Sequence, residues 1–237
     1  ITEKGNKFKG IKRGTITVDN GIIINADEFS YDKITNILKT KGKVKIFDKT
    51  NGYIIYSDEV TYYKNKEKFL SEGNSKAVNK ETNIDADIFE YDKNQNILKA
   101  KYNVKIDDSK EEIIIFAEEI IYQKNQEQIF TIGETEAQIQ NKYNFVSKNV
   151  AIDRNIMMLS SENKTNVTDN NFNFYELDKF KYFKNDYLLK GENIKITTNT
   201  NLKNESDIFH FSSGFFNLKE NNFDAATTSI KMHKNID

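Results

Sequence analysis

The chain has 237 residues, with 35 basic side chains against 36 acidic ones and a formal net charge of −1, a balance that excludes a broad electrostatic hold on nucleic acid. It contains no Cys and no Pro but 17 Phe and 12 Tyr, which excludes disulfides and thiolate metal sites, argues against a disordered polar chain and suits long strands that Pro would interrupt. No apolar run approaches the ~20 residues of a membrane-crossing helix.

The segment from Ile1 to Val18 reads as the return strand of an incomplete repeat. Ile22, Ile24 and Ala26 then alternate with Ile23, Asn25 and Asp27, and the pattern runs on to Phe29 and Tyr31. Period-two alternation with β-branched and aromatic residues predicts a half-buried strand. Asp32-Lys33-Ile34-Thr35-Asn36 reads as a turn. Leu38 to Ile46 alternates with a Lys-rich row and predicts the strand coming back, and Asp48-Lys49-Thr50-Asn51 reads as the next turn. This two-strand unit recurs. Ala26-Asp27-Glu28-Phe29-Ser30-Tyr31 is followed by copies starting at Ser57, Ala86, Ala117, Ser147, Leu177 and Ser206, at steps of 31, 29, 31, 30, 30 and 29. A fixed period of this size predicts a stacked array in which no unit buries its own apolar face. One domain is expected over residues 1–237, with looser copies after Leu177 and poor strand material from Asn199 to Glu205. Because it begins at Ile1 rather than Met, the chain is read as a piece of a longer protein.

Sixteen residues after each first position stand Gly42, Gly73, Tyr102, Gly133, Asn163 and Asn193. The alternation pairs Ala26 with Gly42, Ile24 with Val44 and Ile22 with Ile46, but Phe29 with Thr40 and Tyr31 with Leu38. One extra residue is therefore expected between Ala26 and Phe29, a β-bulge that bends the strand. Small residues opposite it allow a sharp fold; Tyr102 and Leu177 break that rule, and Gly191 lies two residues off the row. The result is an all-β, antiparallel sheet creased down its middle with apolar residues facing into the fold. The acidic column Asp27, Asp58, Asp87, Glu118, Asp178 and Asp207 is interrupted by Lys148 and lacks a glycine-rich calcium loop; these acids are expected to accept backbone hydrogen bonds at the bulge.

The alternating strand into Ala26-Asp27, then Phe29-Ser30-Tyr31-Asp32, then the return through Gly42 to Val44-Lys45-Ile46 resembles the OstA-type repeat of lipopolysaccharide-transport proteins, and Ile84 to Ile106 is equally similar. This family includes LptA and the periplasmic N-terminal domain of LptD; length and the missing Met favour the LptD side. The resemblance implies an open, taco-like β-jelly-roll of about seven repeats, located in the periplasm and associated with the outer membrane. Its apolar interior would shelter the acyl chains of lipopolysaccharide during delivery to that membrane. It further implies head-to-tail stacking with other jelly-roll proteins of the same transport system through edge strands, no catalysis, and, for LptD, a C-terminal outer-membrane barrel beyond the present sequence.

The groove-forming candidates lie in two rows. One arm carries Phe29, Tyr31, Val60, Tyr62, Phe89, Tyr91, Ile120, Tyr122, Val150, Ile152, Phe180 and Tyr182, with Leu38, Phe69 and Leu98 on return strands. The other carries Ile22, Ile24, Ile55, Ile84, Ile115 and Phe145. Read without the resemblance, both rows meet in an ordinary sandwich core; with it, they line a partly open lipid groove. Lys33, Lys64, Lys93, Lys124, Arg154 and Lys184 recur in the turns, as solvated turn residues or as a basic rim for lipid phosphates. The histidines His210 and His233 suggest no triad, and no phosphate loop, dinucleotide fingerprint or metal-ligand motif is present. No enzyme activity, cofactor or metal is expected. The rival reading is a structural β-repeat stalk or adhesin segment with a closed core.

Overall fold

A computed structural model describes residues 5–18, 21–49, 52–79, 81–202, 206–220 and 222–233. Every regular element among them is a β-strand or a single turn of 3-10 helix. The predicted all-β antiparallel class is what the chain adopts. No helix is long and apolar enough to cross a membrane. Contacts divide the chain into two compact units, Ile1–Glu111 with Glu119–Asn125, and Glu112–Glu118 with Gln126–Asp237.

The first unit is a meander. The strands β1 (Lys7–Gly10) and β2 (Gly14–Val18) pair with β4 (Glu28–Asp32) and β3 (Ile22–Ala26), so the expected return strand of an incomplete repeat is present. Long strands follow: β5 (Ile37–Asp48), β6 (Tyr53–Tyr63), β7 (Lys68–Val78), β8 (Thr82–Asp92) and β9 (Ile97–Asp108), each antiparallel to the next. The turn after β4 forms because the Asp32 carboxylate accepts hydrogen bonds from the Ile34 and Thr35 amides at 2.8 and 3.2 Å, an Asx-type closure. The predicted turn at Asp48 extends outside the described residues. The strand β10 (Ile113–Gln123) is divided between the two units.

In the second unit β11 (Gln128–Ile139) is continuous, whereas its successors are broken at mid-length. These are β12 (Tyr143–Lys148) with β13 (Ala151–Asp153), β14 (Met158–Ser161) with β15 (Thr165–Asp169), and β16 (Phe174–Leu177) with β17 (Lys179–Phe183). The meander ends with β18 (Leu188–Thr197), β19 (Ile208–Asn217) and β20 (Asn222–Lys231). The last of these was not expected, since Ala225-Ala226-Thr227-Thr228-Ser229 alternates nothing apolar; its partner β19 supplies the ladder that its sequence does not advertise.

A crease crosses the strands of each unit and separates a near arm, ending at the Lys-bearing turns, from a far arm. The near-arm register is the expected one, Phe29 with Thr40 and Tyr31 with Leu38. The far-arm register is not. Ile24 faces Ile46 and Ile22 faces Asp48, so the extra residue lies in the return strand and not between Ala26 and Phe29. The same holds for β7 and β9, where the register slips beside Gly73-Asn74 and Tyr102-Asn103. The cause is backbone handedness. Gly42 and Lys43 (φ 79° and 44°), Gly73 and Asn74 (81° and 44°) and Tyr102 and Asn103 (64° and 52°) are left-handed in succession, which inserts a residue and turns the strand. By β18–β19 and β19–β20 the pairing runs through the crease without a slip.

A left-handed L residue costs roughly 1–2 kcal/mol, which explains glycine at two of these positions and marks Tyr102 as strained. Tyr102 is 51 % exposed and loses little burial on truncation. Tyr102→Gly is therefore expected to stabilise the protein by about 0.5–1 kcal/mol, read from urea unfolding; a loss of stability would mean that the ring holds the crease. Leu177 and Gly191, both exceptions to the small-residue row, explain one another: a Cβ at Gly191 would run into Leu177 Cδ2. The small residue has moved to make room for the large one.

Candidate functional site

The inward row forms because alternate side chains of a strand share a face. All the expected groove residues are buried except Tyr31, Ile55 and Tyr91, which are half-buried. The first unit gathers Ile22, Ile24, Ile46, Phe29, Leu38, Val60, Tyr62 and Phe69 into one cluster, with residues from both arms. Tyr62 and Phe69 stack at 4.2 Å between ring centroids. In the second unit the arms meet through aromatic rings: Phe145 of the far arm lies 5.5 Å from Phe180 and 5.4 Å from Tyr182 of the near arm. The interior also takes in residues outside the expected set, among them Ile106, Ile139, Leu159, Leu189 and Ile194. Their alternation is legible, but Lys and Asn between them draw attention away.

Three polar systems frame this interior. The first is a set of buried hydroxyls at the crease of each unit, which was not expected from the sequence. Ser57 Oγ reaches the carbonyls of Glu59 and Glu72 at 3.0 Å, Ser71 and Ser75 lie 2.8 Å apart, Thr131 and Thr135 2.6 Å, and Ser147 and Thr165 2.8 Å. A bulge removes ladder partners, and a buried carbonyl without one is costly. The available signal was the period of Thr40, Ser71, Thr131 and Ser161.

The second system is the acidic column. Asp58, Asp87 and Asp178 accept the side-chain amides of Asn74, Asn103 and Asn193 at 2.7, 2.8 and 2.7 Å. Asp27 pairs with Arg13 at 2.8 Å. Among the described residues none of these four accepts the expected backbone donor at the crease; Asp207 accepts the His233 amide at 2.6 Å, but at the far end of β19, where there is no bulge. Donors come from side chains because the second crease residue is so often Asn, which tolerates the left-handed region and carries an amide into reach.

The third system lies at the near-arm turns. Tyr31, Tyr62 and Tyr91 donate to Asn36, Glu67 and Asn96, each five residues on, at 2.8, 3.0 and 2.9 Å. Those acceptors are themselves left-handed (φ 54°, 50° and 56°), so each hydroxyl clasps the residue that closes its turn. The Lys ladder sits in the same turns, engaged within the chain. Lys33 lies 4.8 Å over the Phe8 ring, Lys93 is 3.3 Å from Glu67, and Arg154 is 3.8 Å from Glu127. Lys124 stands 3.7 Å over Tyr53 of the far arm and 5.1 Å from Tyr91 of the near arm, a cation–π bridge across the mouth. Lys64 and Lys184 each open a 3-10 turn. No group of three or more His, Asp or Glu among the described residues is placed to hold a metal ion.

No family model matches the chain, and no curated protein does. A solved structure of LptH from Pseudomonas aeruginosa, described as the LptA-homologous periplasmic component of the conserved lipopolysaccharide transport device, is similar over 65 % of this chain and 95 % of its own, at 11 % identity and a TM-score of 0.29. With a likeness that slight, function rests on the residues of the site itself.

Proposed function

We propose that the chain is a non-catalytic lipid conduit of the lipopolysaccharide-transport type, working in the periplasm beside the outer membrane, with the LptD N-terminal domain as the nearer relative. The reading treats residues 1–237 as one array whose inward rows shelter acyl chains and whose edge strands, β20 among them, receive neighbouring jelly-rolls. It rests on one observation. Within each unit the inward face is apolar from strand to strand, broken by the crease hydroxyls and by Asp48, Thr82 and Asp108 near one rim. Each buried methylene contributes ~0.8 kcal/mol, so such a row holds alkyl chains without specific contacts.

The test is photocrosslinking to lipopolysaccharide with the probe at Phe89, which is 1 % exposed on the inward face, or at neighbouring Glu90, which pairs with Lys101 on the outside at 2.8 Å. Strong crosslinking at Phe89 and none at Glu90 is expected. Equal, weak crosslinking at both would favour the second reading, a structural stalk with a closed core. That reading draws on the Phe145, Phe180 and Tyr182 rings, which already fill one another's space.

A further inference from the structure

Each unit carries a bridge between its arms at the mouth, built from different chemistry. In the first unit it is Lys124 between the Tyr53 and Tyr91 rings. In the second, two hydrogen bonds cross a cavity of about 370 Å³. Gln140 Nε2 of the far arm donates to Tyr187 Oη of the near arm at 3.3 Å, and Tyr143 Oη donates to the Leu218 carbonyl at 3.0 Å. Each lip is held by its own backbone. The far-arm turn closes through the Lys142 amide on the Ile139 carbonyl at 3.0 Å, and the Leu218 amide is tied to the Tyr187 carbonyl at 2.8 Å. Across the gap the contact passes instead through the ends of long side chains.

This closure is imperfect. Gln140 Oε1 is shielded from solvent and has no hydrogen-bond partner, and the same is true of the hydroxyl of Tyr182, on the inward face of β17. Burial, then the phenols of Tyr143 and Tyr187, keep that hydroxyl protonated. The Tyr182 ring rests on Phe145 of the opposite arm, 5.4 Å away, so separating the arms would wet it. An unpaired buried polar group penalises the closed state by its lost hydration, and opening restores it. The orphaned groups therefore favour opening, while the two cross-mouth hydrogen bonds and the packing on Phe145 favour closure. Opposed contributions at one joint make a two-state element.

We propose that the mouth of the second unit is a gate. The Gln140–Tyr187 and Tyr143–Leu218 clasp holds it shut at rest, and separation of the arms, favoured by hydration of the two orphaned groups, admits an alkyl chain to the interior. The inference deepens the lipid-handling reading and rests on it for what passes the gate; the motion of the arms does not depend on it.

The experiment uses the full chain and has two readouts. Lys142 and Lys219 are exposed and stand on opposite lips. Because the chain has no cysteine of its own, K142C/K219C takes a pair of spin labels whose separation reports the arms. A short distance is expected to dominate. Tyr143→Phe, which deletes one hydrogen bond of the closed state, should raise the long-distance population about fivefold. Adding Tyr182→Phe, which deletes a hydroxyl satisfied in the open state, should return that population toward the parent's. Distances that neither change moves, or that both move the same way, overturn the gate.

The second readout locks the mouth by joining the same two cysteines with a short, reducible bis-maleimide. With a photocrosslinker at Ile152, buried on the inward face of β13, the locked chain should crosslink lipopolysaccharide about tenfold less than the chain released by reductant. Equal crosslinking before and after release overturns the gate and leaves the lipid reading standing. Opposite shifts of the arm distance, with no crosslinking even after release, keep the moving arms and overturn the lipid reading. If the distances stay fixed and nothing crosslinks, both fall.

Discussion

Phe145→Ala is expected to lower the unfolding free energy by about 3–5 kcal/mol, the largest single-site loss foreseen here. The ring is 2 % exposed, and it touches two others across the fold rather than within one strand pair. Removing it takes away both its own transfer free energy and the surface on which Phe180 and Tyr182 rest. The cavity left is walled by strands that hydrogen bonds prevent from collapsing inward. Val146 is the control: it is the next residue, 45 % exposed on the outer face, and its change to Ala should stay within about 0.5 kcal/mol. Urea unfolding checks both, with the midpoint moving and the slope constant. Similar losses at the two positions would mean that the arms do not bear on each other through Phe145.

Alkaline pH should unfold the protein between about pH 10 and 12, the range over which buried tyrosines are forced to ionise. Burial, followed by the Asp48 charge and the Tyr53 and Asp92 neighbours, pushes the Tyr91 phenol up to about 12. Burial likewise raises Tyr175, with the charge of Asp169 next, and Tyr182, with Tyr143 and Tyr187 next. The sign follows from proton counting. An unfolded tyrosine ionises near its ordinary value of about 10, while the folded one stays protonated, so above that pH the folded state binds more protons. Stability is intact below the unfolded value and declines as pH rises toward the folded one. Phenolate absorbance should appear together with loss of the β-sheet circular dichroism signal in one transition, and Tyr182→Phe should move its midpoint upward. Phenolate absorbance rising well before the sheet is lost would show these hydroxyls to be solvent-accessible.

Much of the scaffold was legible because a strand has a period of two and a repeat imposes its own spacing. The alternation at Ile22, Ile24, Phe29 and Leu38 is enough to place each on the inward face, and the step of about thirty residues predicts where Val60, Phe89, Ile120, Val150 and Phe180 follow. The acid-bearing crease and the Lys-bearing turns were located by the same arithmetic through the sixth copy; the seventh, at Ser206-Asp207, falls at the far end of β19 and not at the crease. These are local properties: each depends on a residue and its neighbours a few positions away.

What the tertiary structure decided are matters of pairing. The bulge belongs to the return strand because two successive left-handed residues sit there, and handedness is not written in composition when Lys43, Asn74 and Tyr102 adopt it alongside Gly42 and Gly73. The crease hydroxyls are a response to carbonyls that the bulge leaves unpaired, so they are visible only once the register is known. The partners of Lys124, Tyr53 of the far arm and Tyr91 of the near arm, are brought together by folding one arm over the other. In the second unit the same closure brings Gln140 and Tyr143 of the far arm onto Tyr187 and Leu218 of the near arm. Sequence periodicity determined which face of each strand is apolar; only the crease, which sets residues far apart in the chain opposite one another, decided what those faces and their rims enclose.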